Sequence, residues 1–217
     1  MFDTLITLGI GTAIPLIVVR ILDVRTPTTI AAQRIILGIL ILVPAIILQR
    51  QLMAVVEPLV DSPDLKRAIK GFLIYGLCEE VLRFLAIYFL TRTHKPRDCI
   101  DVVASAVWIS IGFAIAENAM YLSGVSGHPI IGLAIARVLL PTLMHICCGV
   151  IVAASVLRLV KMGAPIAFLS AVALHGYYEW EVLSTDTSLG HLLMILAIAI
   201  GVSFVIIGKA RAVTRQD

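Results

Sequence analysis

Glu79 and Glu80 are neighbouring carboxylates in the middle of residues 71–90, an apolar run whose only other charged residue is Arg83. A charged side chain at the centre of a membrane-spanning helix costs roughly 2.5 to 3.5 kcal/mol, and such residues face a bundle interior or a water-filled cavity. The pair therefore marks a catalytic site or an ion pathway. The plainer alternative is that Arg83, one helical turn from Glu79, neutralises the carboxylates and fixes helix packing.

Glu117, Asn118, Arg137, His145 and His175 also fall within apolar stretches. At ~3 kcal/mol each, Glu79, Glu80, Arg83, Glu117 and Arg137 together cost ~15 kcal/mol before pairing, as much as the whole folding stability of a typical domain. Such a set has to be paired and put to use. A carboxylate in low dielectric can take a proton from water and return it to a leaving amine, which is general acid–base hydrolysis. Imidazoles and an arginine nearby can orient that water and stabilise an oxyanion. Chains of Glu, His and Arg also make proton relays, so proton-linked transport is the rival function. A receptor or immunity protein whose polar cluster only supports packing is the third.

Taken singly, each residue has a structural use. A lone His can be a hydrogen-bonded packing residue, and Asn118 can bond a neighbouring helix. Arg137 can be a counter-ion or can snorkel; Arg34, near a helix end, reads as a snorkelling residue without a role. No G-x-S-x-G and no HExxH occurs. Cys78, Cys99, Cys147 and Cys148 show no CxxC spacing and read as small core residues.

The elements that must position these groups are membrane helices. The chain has 217 residues, 60% of them hydrophobic and 14% charged, with a mean hydropathy of +1.03, values foreign to soluble domains. Seven apolar segments stand out, at about 2–20, 29–49, 68–90, 100–122, 130–157, 163–183 and 190–208. Each is near the roughly twenty residues needed to cross ~30 Å of hydrocarbon. With no alternating strand pattern, the expectation is an all-α polytopic bundle of about seven transmembrane helices. Residues 1–217 form a single membrane-embedded domain, and the N-terminus reads as a first span, not a removed signal peptide. Residues 52–70 contain Glu57-Pro58 and Asp61-Ser62-Pro63 and read as a surface loop or short amphipathic piece, with Asp61 or Ser62 capping the helix that follows.

The net charge of +3 reports topology, not nucleic-acid binding. Arg20, Arg25, Arg92, Lys95, Arg97, Arg158, Lys161, Lys209, Arg211 and Arg215 fall on one side, and only Arg50, Lys66, Arg67 and Lys70 on the other. The positive-inside rule puts the C-terminus in the cytoplasm and the N-terminus outside. Glu79, His145 and His175 then lie ~12 to 13 Å below the outer face and Glu117 ~8 Å, at 1.5 Å per residue. Four helices bring acidic and imidazole groups to one level.

Glu79-Glu80-Val81-Leu82-Arg83, the run 112–118 (GFAIAEN) with Tyr121, Arg137 to His145, and His175 together resemble the motifs of the PrsW family of intramembrane proteases, in the superfamily of the CAAX-processing Rce1 enzymes. The resemblance covers about residues 70–180. Arg83 stands where that family usually has Lys, and Glu179 where relatives often carry Asn, so no oxyanion role is carried onto Glu179. The resemblance implies an endopeptidase that cuts a single-pass, membrane-anchored protein, such as an anti-sigma factor, near the extracytoplasmic side. Glu79, Glu80, Arg83, Glu117, His145 and His175 are its expected catalytic residues, with Asn118 and Arg137 in support. Glutamate-activated water without a cofactor is the favoured mechanism, because Arg83 and Arg137 would oppose a bound cation. The alternative is a metalloprotease holding Zn²⁺ through Glu79, Glu117, His145 and His175.

Overall fold

The computed structural model describes residues 25–124, 131–159 and 163–215, with isolated positions between 9 and 23; for 123, 124 and 131–137 only the backbone is described. All regular structure among the described residues is helical. The expected first span, 2–20, lies largely outside them. The remaining six appear as helices.

Helix α1 (Thr28–Leu59) is followed by the short α2 (Pro63–Ala68), which runs without a break into a π-helical stretch, Ile69–Leu77, and then into α3 (Cys78–Thr93). Then come α4 (Cys99–Gly124), α5 (Ile131–Val156), α6 (Ala164–Val182) and α7 (Leu189–Thr214). Among the described residues, α1, α4, α5 and α7 are long and apolar enough to cross a membrane. The α3 and α6 helices carry Glu79, Glu80, Arg83, His175 and Glu181 among their buried residues. The exposed side chains of α1 and α7 include Ile36, Leu40, Val43, Ile198, Phe204 and Val205, the surface expected of a bundle surrounded by lipid. The protein is a membrane helix bundle.

Of the surface loop or short amphipathic piece expected across 52–70, the structure keeps only a break at 60–62 and a short helix after it. Helix α1 continues to Leu59, one residue past Pro58, and α2 starts at Pro63, so only residues 60–62 are non-helical. Proline at the last turn ends a helix instead of preventing it, and proline at the first position needs no N–H partner. Ser62, not Asp61, is the cap: its Oγ accepts from the Leu65 N–H at 3.4 Å.

Close backbone contact holds α1 on α4. A Cβ on Gly112 would lie 2.0 Å from the Ile35 carbonyl oxygen, and one on Gly38 would lie 2.0 Å from that of Ile109. Small residues at such crossings replace the hydrophobic driving force that lipid removes. The core between α4, α5, α6 and α7 is likewise built on Ala106, Ala153, Ala171 and Ala199, each fully buried. Backbones that approach this closely fix the rotation of each helix, and hence the face its polar residues present.

Candidate active site

Glu79 and Glu80 occupy the first turn of α3, directly after the π-helical stretch. Such insertions re-aim the side chains beyond them and recur at functional sites. Gly71 and Gly76 let this stretch pack on α6: a Cβ on Gly71 would sit 2.8 Å from the Gly176 carbonyl oxygen. That contact brings Glu79 and Glu80 against His175, the residue before Gly176.

The expected residues converge. Glu79, Glu80, Arg83, His145 and His175 are all buried to within 2% of complete. Arg83 donates through Nη1 to Glu80 Oε1, forming a fully buried ion pair, and through Nη2 to His145 Nδ1 at 3.0 Å. Its guanidinium also lies 5.1 Å from the ring centre of Phe113, a cation–π contact. His175 Nδ1 is 2.7 Å from Glu80 Oε1, and His145 Nε2 is 2.6 Å from Glu117 Oε2. The two imidazoles meet edge to face at 5.0 Å.

These partners dictate the imidazole tautomers. Arginine can only donate, so His145 Nδ1 accepts, and its proton sits on Nε2 and goes to Glu117. Glu80, an acceptor held by Arg83, accepts a hydrogen bond from the N–H of His175 Nδ1. That leaves His175 Nε2 facing Glu79 Oε2 at 3.7 Å and Glu179 Oε1 at 3.9 Å. Glu79 Oε2 has no hydrogen-bond partner among the described residues. Both gaps are too long for a direct bond, and a water to one side of the line joining them can reach Glu79 Oε2 and His175 Nε2 together. Side-chain exposure rises to 27% at Glu117 and 19% at Glu179, so the cluster opens to its surroundings on their side.

Asn118 donates to Thr142 Oγ1 at 3.1 Å and to the Val138 carbonyl at 3.4 Å. It ties α4 to α5, and its described contacts are those of a helix-packing residue. Arg137 lies on α5, and its side chain is outside the described residues. Two further residues enter the site without a signal in the motifs. Gln49 of α1 donates through Nε2 to Glu79 Oε1 at 2.8 Å; a glutamine near a presumed helix end looks like an interfacial residue. Cys148, read as packing, brings its sulfur within 4.8 Å of donor atoms of Glu80 and His175. Arg34, read as snorkelling, is instead nearly buried beside Ser105.

The residues 26–207 match the family model described as PrsW family intramembrane metalloprotease. The chain belongs to the PrsW family. It is 30% identical over 169 residues to Protease PrsW of Geobacillus kaustophilus, covering 74% of this chain and 70% of the relative. It is 29% identical over 166 residues to Protease PrsW of Shouchella clausii, covering 72% and 69%, and 32% identical over 118 residues to that of Halalkalibacterium halodurans, covering 53% and 49%. No solved structure matches it. Membership of the PrsW family makes the protein an intramembrane protease.

The metal in the family description can be tested against the donor atoms. Glu79, His145 and His175 each bring one ligand atom within 4.8 Å of the others. Distance alone would let them converge on an ion. In this arrangement His145 gives its Nδ1 lone pair to Arg83 and directs its N–H at Glu117, so that ring has none left for an ion; Glu80, Cys148 and His175 form a second group of donor atoms within the same span. A catalytic zinc takes three ligands from its protein, so an ion at the first group would require His145 to give up its bond to Arg83.

Proposed function

We propose that this PrsW protease hydrolyses a peptide bond of a single-pass membrane protein, near the extracytoplasmic side, with water activated by Glu79. The observation that carries the reading is the unpartnered Glu79 Oε2 facing His175 Nε2 across 3.7 Å in a buried, charged cluster. A water seated between them gives its proton to Glu79 and its oxygen to the scissile carbonyl carbon. The C–N bond breaks, and Glu79 returns the proton to the leaving amine.

The remaining residues hold this geometry. Glu80, paired with Arg83, holds the His175 ring by its Nδ1 proton, and Glu117 holds His145 in the same way. Packing and bonds that are already formed need not reorganise as charge develops, which is the main source of electrostatic catalysis. The chain is oriented with its C-terminus cytoplasmic, by the bias of basic residues described above. An anti-sigma-factor-like protein is the expected substrate.

The test is Glu79→Gln, which keeps size and hydrogen bonding but cannot carry the proton. Cleavage of a tagged single-pass substrate in proteoliposomes is expected to vanish while insertion and purification are unchanged. Full activity in the variant would sink the assignment.

A further inference from the structure

At the end of the bundle where α1 and α4 begin and α3 stops, a cavity of about 340 Å³ is lined by Thr26, Arg34, Lys95, Arg97, Asp101 and Ser105, among others. None of these belongs to the cluster around Glu79. Arg34 is only 8% exposed, yet its one hydrogen bond among the described residues is from Nε to Ser105 Oγ at 3.4 Å. Its natural counter-ions are taken. Both oxygens of Asp101 accept from Arg97, at 2.6 and 2.8 Å, and Asp98 pairs with Arg25 at 2.5 Å.

A nearly buried guanidinium with no direct ion pair among the described residues, offset only by the longer-range field of Asp101, is stabilised by an anion that completes it. The surroundings suit one. Three cationic side chains and a single carboxylate line the cavity, which is bordered by the uncapped start of α1 at Pro27 and Ile30 and by the last turn of α3 at Leu90 and Thr91. Guanidinium, ammonium and helix N-terminus together are the donor set that binds a phosphate. The cavity also has apolar lining, including Ile30, Leu90 and Val102, and further along α1 the exposed Ile36, Leu40 and Val43 offer a surface for acyl chains.

We propose that this cavity binds the phosphate headgroup of an anionic lipid from the adjacent leaflet. Basic pockets between membrane helices are known hosts for such headgroups. The site would anchor the α3–α4 end of the bundle independently of catalysis.

The experiment is native mass spectrometry of the full chain in detergent, titrated with phosphatidylglycerol, phosphatidylcholine or inorganic phosphate. The wild type is expected to retain phosphatidylglycerol at least ~10-fold better than phosphatidylcholine, the discrimination of a site with charged recognition. Arg34→Gln should abolish that preference. Ser105→Asp, which supplies Arg34 with an internal carboxylate, should abolish it too and does not depend on removing a buried charge. Arg50→Gln, at the opposite end of α1, should leave it intact. Equal retention of both lipids by the wild type, or a preference that survives in Ser105→Asp, would overturn the proposal. Displacement of phosphatidylglycerol by equimolar inorganic phosphate would also overturn it, assigning the cavity to the free anion.

Discussion

Replacing Gln49 by Leu is expected to slow cleavage without loss of the fold. Gln49 holds Glu79 Oε1 through a 2.8 Å hydrogen bond, and the other carboxylate oxygen has no partner among the described residues. Loss of that bond leaves Glu79 without any described hydrogen bond. A hydrogen bond to a charged group contributes about 1.5 to 3 kcal/mol. If the bond positions the proton acceptor in the transition state, the loss converts to a fall of about 10- to 150-fold in kcat. Leucine retains most of the buried volume, so the cost of a cavity is small. The assay is initial-rate cleavage of a tagged single-pass substrate in proteoliposomes at several substrate densities, with thermal unfolding measured in parallel. A drop in kcat at nearly constant KM is the expected signature. A kcat within twofold of wild type would refute the positioning argument, and a change confined to KM would move Gln49 to substrate binding.

Purified protein is expected to contain little zinc and to keep cleaving in the presence of a chelator. Stoichiometric zinc that disappears in a His145→Ala, His175→Ala double variant, together with chelator-sensitive activity, would overturn the metal-free reading and make Glu80 the better candidate for the base. Gly112→Leu should destabilise the bundle by several kcal/mol, since its side chain would have to displace the α1 backbone at Ile35; unchanged thermal unfolding would refute the close crossing. That measurement needs no substrate.

Spacing along a helix fixes both face and depth, and so much of this protein is legible without a structure. Long apolar runs required membrane helices, and the cost of burying Glu79, Glu80, Arg83 and Glu117 required that they meet partners. His145 and His175 read as candidates because imidazoles at matching depth on other helices are the partners available. The motif pattern around 79–83 and 112–118 identified the family. Which helices touch, and at what rotation, is a different matter. It depends on backbone approaches such as Gly38 with Ile109 and Gly71 with Gly176, set by packing between residues far apart in the chain. Only the tertiary structure therefore decided that Gln49 reaches Glu79, that Cys148 lies beside Glu80 and His175, and that His145 gives its lone pair to Arg83. It also decided that Arg34 turns inward, because Ser105 on α4 lies against that turn of α1 while Asp98 and Asp101 pair elsewhere. A one-dimensional pattern records which side chains are costly to bury; the identity of each partner is a property of the packed bundle.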